Sequence, residues 1–510
     1  MLRFNRLLGI SLVLACVATT NSAEKPVSYY NDVRPIFQIH CNGCHQPAKQ
    51  GGSYLMTSYQ QLFDSGDSDQ PGIVKKDPSK SLLVQLLHGV KGRARMPKGQ
   101  AELPKEQIEL ITRWVAEGAL DDTPAAAKQQ LIDADHPPKY QSLPVITSLA
   151  FSPDGELLAV AGHHEVLLHK ADGSQLVGRL IGLSERIQAV AFSPDGKYLA
   201  VSGGDPGRFG EIQIWDVAKR QLRSSIPVGY DTVYGVSWSP DSAIVACGCA
   251  DNTLRAFTVA DGKQVLFQGA HSDWVLGTEF SQTGKHLISI SRDQSVKLTE
   301  VQTNRFIDNV TSITPGALTG GLLAVQLRPT IRPDLLETMK AVALFGSQTS
   351  RINVPLMGIR DHQFKQKMAV VPNDAPGQPA QVYDEILVAG SDGKARLYKI
   401  HREVKRQIGD DANKIREFPA LNGRIYALAF DPHGQYFAAG SSLDGKGEIK
   451  VFDVRTGQTK STFENVISPV YTLSYHPNGK SVASAGFDGL VRLHDPMTGK
   501  LQKSFVPVPK

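Results

Sequence analysis

Residues 41–45 read Cys41-Asn42-Gly43-Cys44-His45. Two thiols three positions apart can add to the two vinyl groups of one haem, and the imidazole that follows then falls beneath the iron. A zinc site or a thioredoxin-like pair shares the Cys-x-x-Cys spacing. Zinc would need a second ligand pair, and none is spaced for it nearby. The histidine directly after Cys44 decides for covalent haem c, one per chain. The second axial ligand must come from the same region. Met96, in Arg95-Met96-Pro97, is the first choice, because proline favours an extended loop that can present a sulfur. Met56, His40 and His88 compete. His40 adjoins the covalent motif, Met56 has the look of a packing residue, and His88 ends an apolar run. The expected site is therefore Cys41, Cys44, His45 and Met96, with His45 and Met96 on the metal and no catalytic residue assigned. Lys91, Arg93, Arg95 and Lys98 crowd both sides of Met96. They would either steer an acidic redox partner, or form a solvated loop or pair with the haem propionates.

The elements that must position these residues are helical. Ile108, Ile111 and Val115 recur at helical spacing beside Trp114, with Pro104 at the first turn and Gly118 as a stop. This helix should pack on the one leading into Cys41, and Leu82 to Leu87 should form a core helix. Val33, Pro35, Ile36 and Phe37 precede Cys41; Gly51-Gly52, Pro78-Ser79, Ser81-Leu82, Met96-Pro97, Leu103 and Trp114 to Ala119 follow. With these residues, the stretch from about 27 to 120 resembles the planctomycete-type cytochrome c domain. The resemblance implies haem attachment at Cys41 and Cys44 with His45 and Met96 as ligands. Pro104 departs from it, standing where the family tends to have a capping Ser.

Arg3 and Arg6 followed by Leu7 to Ala15 have the outline of a signal peptide over 1–23, too short to span a bilayer as a lasting helix. Asn21-Ser22-Ala23 would release a product starting near Glu24, and Val13-Leu14-Ala15-Cys16 would instead place a lipid on Cys16. The first gives a periplasmic or extracytoplasmic protein, the second a lipoprotein, the one route to a membrane. A net charge of +5 over 510 residues is too dilute to argue for nucleic acid. Cys247 and Cys249 fall on one face of an expected strand, as small buried hydrophobes rather than a disulfide.

From about residue 145 the chain repeats. An apolar strand ending in aromatic-x-Pro-Asp-Gly recurs at 151–155 and 192–196, with variants at 238–242, 280–284, 430–434 and 475–479. Trp215-Asp216 is a WD dipeptide, with Phe452-Asp453 and His494-Asp495 in the same place. A period of about 40 to 47 residues with these signatures indicates a WD-type β-propeller. His271 fits the glycine-histidine turn of such a repeat, and His169 and His494 fit its tryptophan position. Strand pairs at 341–354 and 386–398, with Leu327-Arg328-Pro329 and Val370-Val371-Pro372 as first strands, favour eight blades over seven. Two long connections, Thr330 to Met339 and Asn373 to Tyr383, should then stand side by side on neighbouring blades.

The expected architecture is multidomain: a small all-α cytochrome c domain (24–120), a linker (121–140) and an all-β propeller (141–510). The expected function is outer-sphere electron transfer through a His/Met haem, with redox partners and with the propeller as a protein-binding scaffold. The alternative is an oxidoreductase with a second cofactor or active site in the propeller, so enzymatic activity stays open. A third reading has the haem sensing redox state or a gas that displaces Met96.

Overall fold

Helix-period and strand-period segments separate cleanly along the chain, and so do the elements they form. The computed structural model describes residues 25–46, 49–90, 92–99, 101–125, 132–312, 318–329, 384–407 and 409–509. The leader read over 1–23 and the blade expected at 341–354 lie outside them. None of the described helices is long and apolar enough to cross a membrane.

The N-terminal part is built from α1 (Arg34–His40), α2 (Leu82–His88) and α3 (Lys105–Ala116), with a short hairpin of His45–Gln46 against Lys49–Gln50. Pro35 sits in the first turn of α1, where its missing N–H costs nothing. As expected, Ile108, Ile111, Trp114 and Val115 form the buried face of α3. The Trp114 ring stacks on Tyr29 at 5.3 Å and meets Phe37 of α1 edge-on at 6.3 Å. Pro104 caps α3 without a side-chain hydrogen bond, and Gly118, at φ +112°, turns the chain away after it.

The rest is mostly β-sheet. Five sheets have four strands each, and one has seven. In the seven-stranded sheet, strand Leu176–Phe192 pairs through Leu176–Ile181 with the strand before it and through Ile187–Phe192 with the strand after it. It thus serves as the last strand of one four-stranded unit and the first of the next. The described residues therefore make seven four-stranded units: 149–181, 186–229, 233–268, 275–309, 322–417, 424–462 and 470–505. First strands of consecutive units touch all the way round, the last one meeting the first. An apolar core fills each gap between neighbours. Each unit is one continuous stretch of chain, so no strand is lent across the closure. The seam is held instead by Leu149 N–H to Thr472 Oγ1 (3.0 Å), Ile146 N–H to the Gly486 carbonyl (2.9 Å) and the C-terminal tail. In that tail Val508 is buried, and the Pro507 carbonyl accepts from His169 Nε2 at 2.9 Å.

The repeated Pro-Asp-Gly turns explain themselves chemically. In the first, the Asp154 carboxylate accepts from Ser152 Oγ at 2.5 Å and from the Glu156 amide at 3.1 Å, and Gly155 adopts φ +73°. Only glycine takes that conformation without penalty, and Ser242, at φ +61°, replaces it in the third.

One assignment is corrected. Leu322–Leu327 pairs directly with Glu385–Gly390, so Val370-Val371-Pro372 is not the first strand of that unit. The two long connections, 330–339 and 373–383, lie outside the described residues. The two cysteines behave as expected: Cys247 and Cys249 are buried and unbridged.

Candidate functional site

The N-terminal part encloses a cavity of about 660 Å³, within the roughly 300–1,000 Å³ usual for cofactor sites. Cys41, Cys44, His45 and Met96 all line it, with Leu82, Leu83, Leu86 and Leu87 from α2 and its C-terminal end supplying an apolar wall. The four residues named from spacing are thus brought to one cavity. His88 does not line the cavity; its ring is 3.5 Å from the Thr112 hydroxyl on the far side of α2.

His45 is held by its neighbours rather than by its own reach. Its Nδ1 lies 2.9 Å from the Tyr54 carbonyl, so it carries the proton and leaves Nε2 with its lone pair free. A ligating histidine is normally oriented in this way. The Tyr54 hydroxyl donates to the Leu62 carbonyl at 2.7 Å, and the Tyr54 ring meets the His45 ring edge-on at 5.7 Å. Gly72 makes room for that tyrosine, since a Cβ there would fall on its phenol ring. Gly51 is less tightly constrained, since a Cβ there would lie 3.1 Å from the Cys44 carbonyl oxygen. Sequence reading missed Tyr54 and Gly72. Tyr54 acts through its carbonyl, which every residue possesses.

Met56 and His40 also line the cavity. The Met56 amide donates to the His45 carbonyl at 3.0 Å, which places Met56 beside His45 rather than opposite it, and its side chain is packed in the core. Met96 comes from the other wall, its amide bonded to the Leu86 carbonyl at 3.1 Å. Burial lowers the His40 imidazole below its ordinary range. Burial, and then the adjacent Cys44, push the Cys41 thiol up to about 12. An unmodified Cys41 would therefore stay protonated. The basic cluster divides: Arg95 pairs with Glu102, Arg93 and Lys98 line the cavity with Lys49, and Lys91 lies outside the described residues.

In the propeller the expected structural histidines have structural partners. His271 bridges Asp293 (2.9 Å) and the Ser289 hydroxyl (2.8 Å). Burial alone would raise Asp293, but hydrogen bonds from His271, Ser295 and the Ser272 amide outweigh it and hold the carboxyl below its usual range. His494 contacts the Glu464 carbonyl at 2.8 Å and stacks on Phe463. Among the described residues no three His, Cys, Asp or Glu gather as a metal-binding group.

Residues 41–100 match the family model for planctomycete cytochrome C. Residues 222–257, 262–299, 413–453 and 457–495 match the WD domain, G-beta repeat, and 149–239 match the WD40 domain of anaphase-promoting complex subunit 4. The chain thus carries one stretch that matches planctomycete cytochrome C and others that match WD40 repeats.

Its curated relatives match as WD-repeat proteins. Eukaryotic translation initiation factor 3 subunit I of Neosartorya fischeri is 24% identical over 294 residues, 51% of this chain and 78% of that protein. A chromatin assembly factor 1 component from Saccharomyces cerevisiae is 32% identical over 82 residues, 16% of this chain and 18% of that one. The U3 small nucleolar RNA-associated protein 21 homologue of Schizosaccharomyces pombe is 29% identical over 103 residues, 20% and 11% of the two chains. The chain thus spans most of the first relative and under a fifth of the other two.

These relatives correct the expected function. Similarity over the long stretch belongs to the WD repeats, and it supports a scaffold role, not an exported electron carrier with the propeller as an accessory. The expected redox partners lose their support with it.

Proposed function

We propose that this chain is a protein-interaction scaffold: a seven-bladed WD-type propeller carrying a small N-terminal domain that holds haem c. The observation that carries the scaffold reading is the run of four-stranded units whose first strands pack on one another in succession. Its relatives include proteins named as parts of an initiation factor and of a chromatin assembly factor. Exposed apolar side chains supply contact points: Tyr230, Ile467 and Phe487 are 60%, 74% and 60% exposed, all in connections between strands. Crosslinking and mass spectrometry on the full chain with its co-purifying partner tests this. Crosslinks should fall on the propeller, and Ile467→Asp with Phe487→Asp should abolish capture while the fold is kept. Capture that survives both substitutions, with crosslinks elsewhere, refutes it.

For the N-terminal domain, the residues present fit haem. Cys41 and Cys44 would form the thioether links, and His45 and Met96 would hold the iron. When bound, such a group would supply a redox-active iron. The protein's own part is to hold the Nδ1 proton of His45 on Tyr54, to exclude water with the α2 leucines, and to offset propionate charge with Lys49, Arg93 and Lys98. After denaturation and acid-acetone extraction the haem should remain on the polypeptide. Haem that extracts freely from exported protein overturns this. An extracytoplasmic location is proposed on the leader alone, and fractionation of the native host tests it.

A further inference from the structure

Gly43 stands between the two motif cysteines, where the attachment chemistry asks for nothing but spacing. The fold asks for more. A Cβ at Gly43 would lie 2.9 Å from the Ser225 carbonyl and 3.6 Å from the Pro227 ring, both on Gln221–Gly229, the outermost strand of the second unit. The loop is therefore pressed backbone to backbone against the propeller, on the side away from the cavity, whose lining includes no propeller residue. Beside it Gln38 and Asn42 face Leu183, Phe209 and Glu211 across a gap of about 10 Å³, and Arg208 donates to the Tyr30 hydroxyl at 3.1 Å.

The propeller side of this contact is braced. The Glu211 carboxylate is buried and accepts from Ser184 Oγ and Gln213 Nε2, each at 2.7 Å, and from Ser225 Oγ. Gln213 Oε1 in turn accepts from Trp215 Nε1 at 2.9 Å. A buried carboxylate held by three donors, one of them Ser225 itself, fixes the strand that carries Ser225.

We propose that the second unit is a built seat for the Cys41–His45 loop, and that Gly43 is the residue that lets the loop sit there. The proposal concerns the chain's two parts and does not depend on what fills the cavity. Interfaces between domains of one chain are ordinarily loose, so one close backbone approach decides whether these parts move together.

The test uses the full chain. In Gly43→Val, amide exchange along 221–229 should rise by about tenfold or more, and the radius of gyration from X-ray scattering should increase. Exchange in the other units should not change. Phe209→Glu puts a charge on the propeller side of the gap without touching the N-terminal core, and it should produce the same separation. It also decides the matter should Gly43→Val fail to fold. Unchanged exchange and an unchanged radius in either folded variant overturn the seat.

Discussion

At the scale of single residues, that the motif cysteines, His45 and Met96 would meet at one cavity was legible in their types and spacing. Their support was not. Tyr54 offers only a carbonyl, and Gly72 matters only because a phenol ring lies where its side chain would be. Gly72→Ala should therefore displace Tyr54 and loosen His45, with haem still attached. The measurement is the ferric spectrum, in which the signature of axial ligation should weaken; an unchanged spectrum would show that His45 needs no brace. Glu279, on the first strand of the fourth unit, has its carboxyl raised to about 8 by burial. Below the ordinary carboxylate range both folded and unfolded chains are protonated there. As pH rises through 4.5 towards 8 the unfolded chain ionises first, so native stability is lost across that window. Glu279→Gln should leave the melting temperature alone at about pH 4 and raise it at about pH 8.5, and equal melting curves at both values would refute the assignment.

At the scale of elements, periodicity did well where one face is buried and badly where length alone had to decide. α3 was readable from its apolar face, and truncating Trp114 to Ala should cost about 3–5 kcal/mol, because its ring is packed between Tyr29, Phe37 and Tyr59. Urea unfolding of the N-terminal part would show this, and a loss under about 1 kcal/mol would mean the core collapses to fill the gap. The fifth unit was misassigned for a physical reason. A short apolar run such as Val370-Val371 has strand propensity anywhere, but its partner is chosen by tertiary register, and Leu327 takes Ile386 across the intervening chain. His271 was read correctly because its turn belongs to a repeat. His271→Ala should leave the buried Ser289 hydroxyl without this partner, remove one donor from Asp293, and destabilise that unit by about 1–3 kcal/mol. Thermal unfolding checks it.

At the scale of the whole molecule, the repeat announced a ring but not how it closes or what leans on it. The seam was illegible because its bonds join residues over 300 positions apart, such as Leu149 with Thr472 and His169 with Pro507. Removing residues 506–510 should expose part of the core between the last unit and the first, and lower stability by about 2–3 kcal/mol. An unmoved denaturation midpoint would show that the tail is decoration.

A ring closed without a borrowed strand has one more property. The order in which its units leave the ribosome is not written into their packing. Residues 146 and 508 already lie in one cluster, so a short bridge could join the ends of the propeller and a new start could be opened at any connection between units. Such a necklace, cut elsewhere and fastened at its old clasp, should have the same beads in the same order. New assemblies could then arise by moving the ends of the gene without redesigning a single blade.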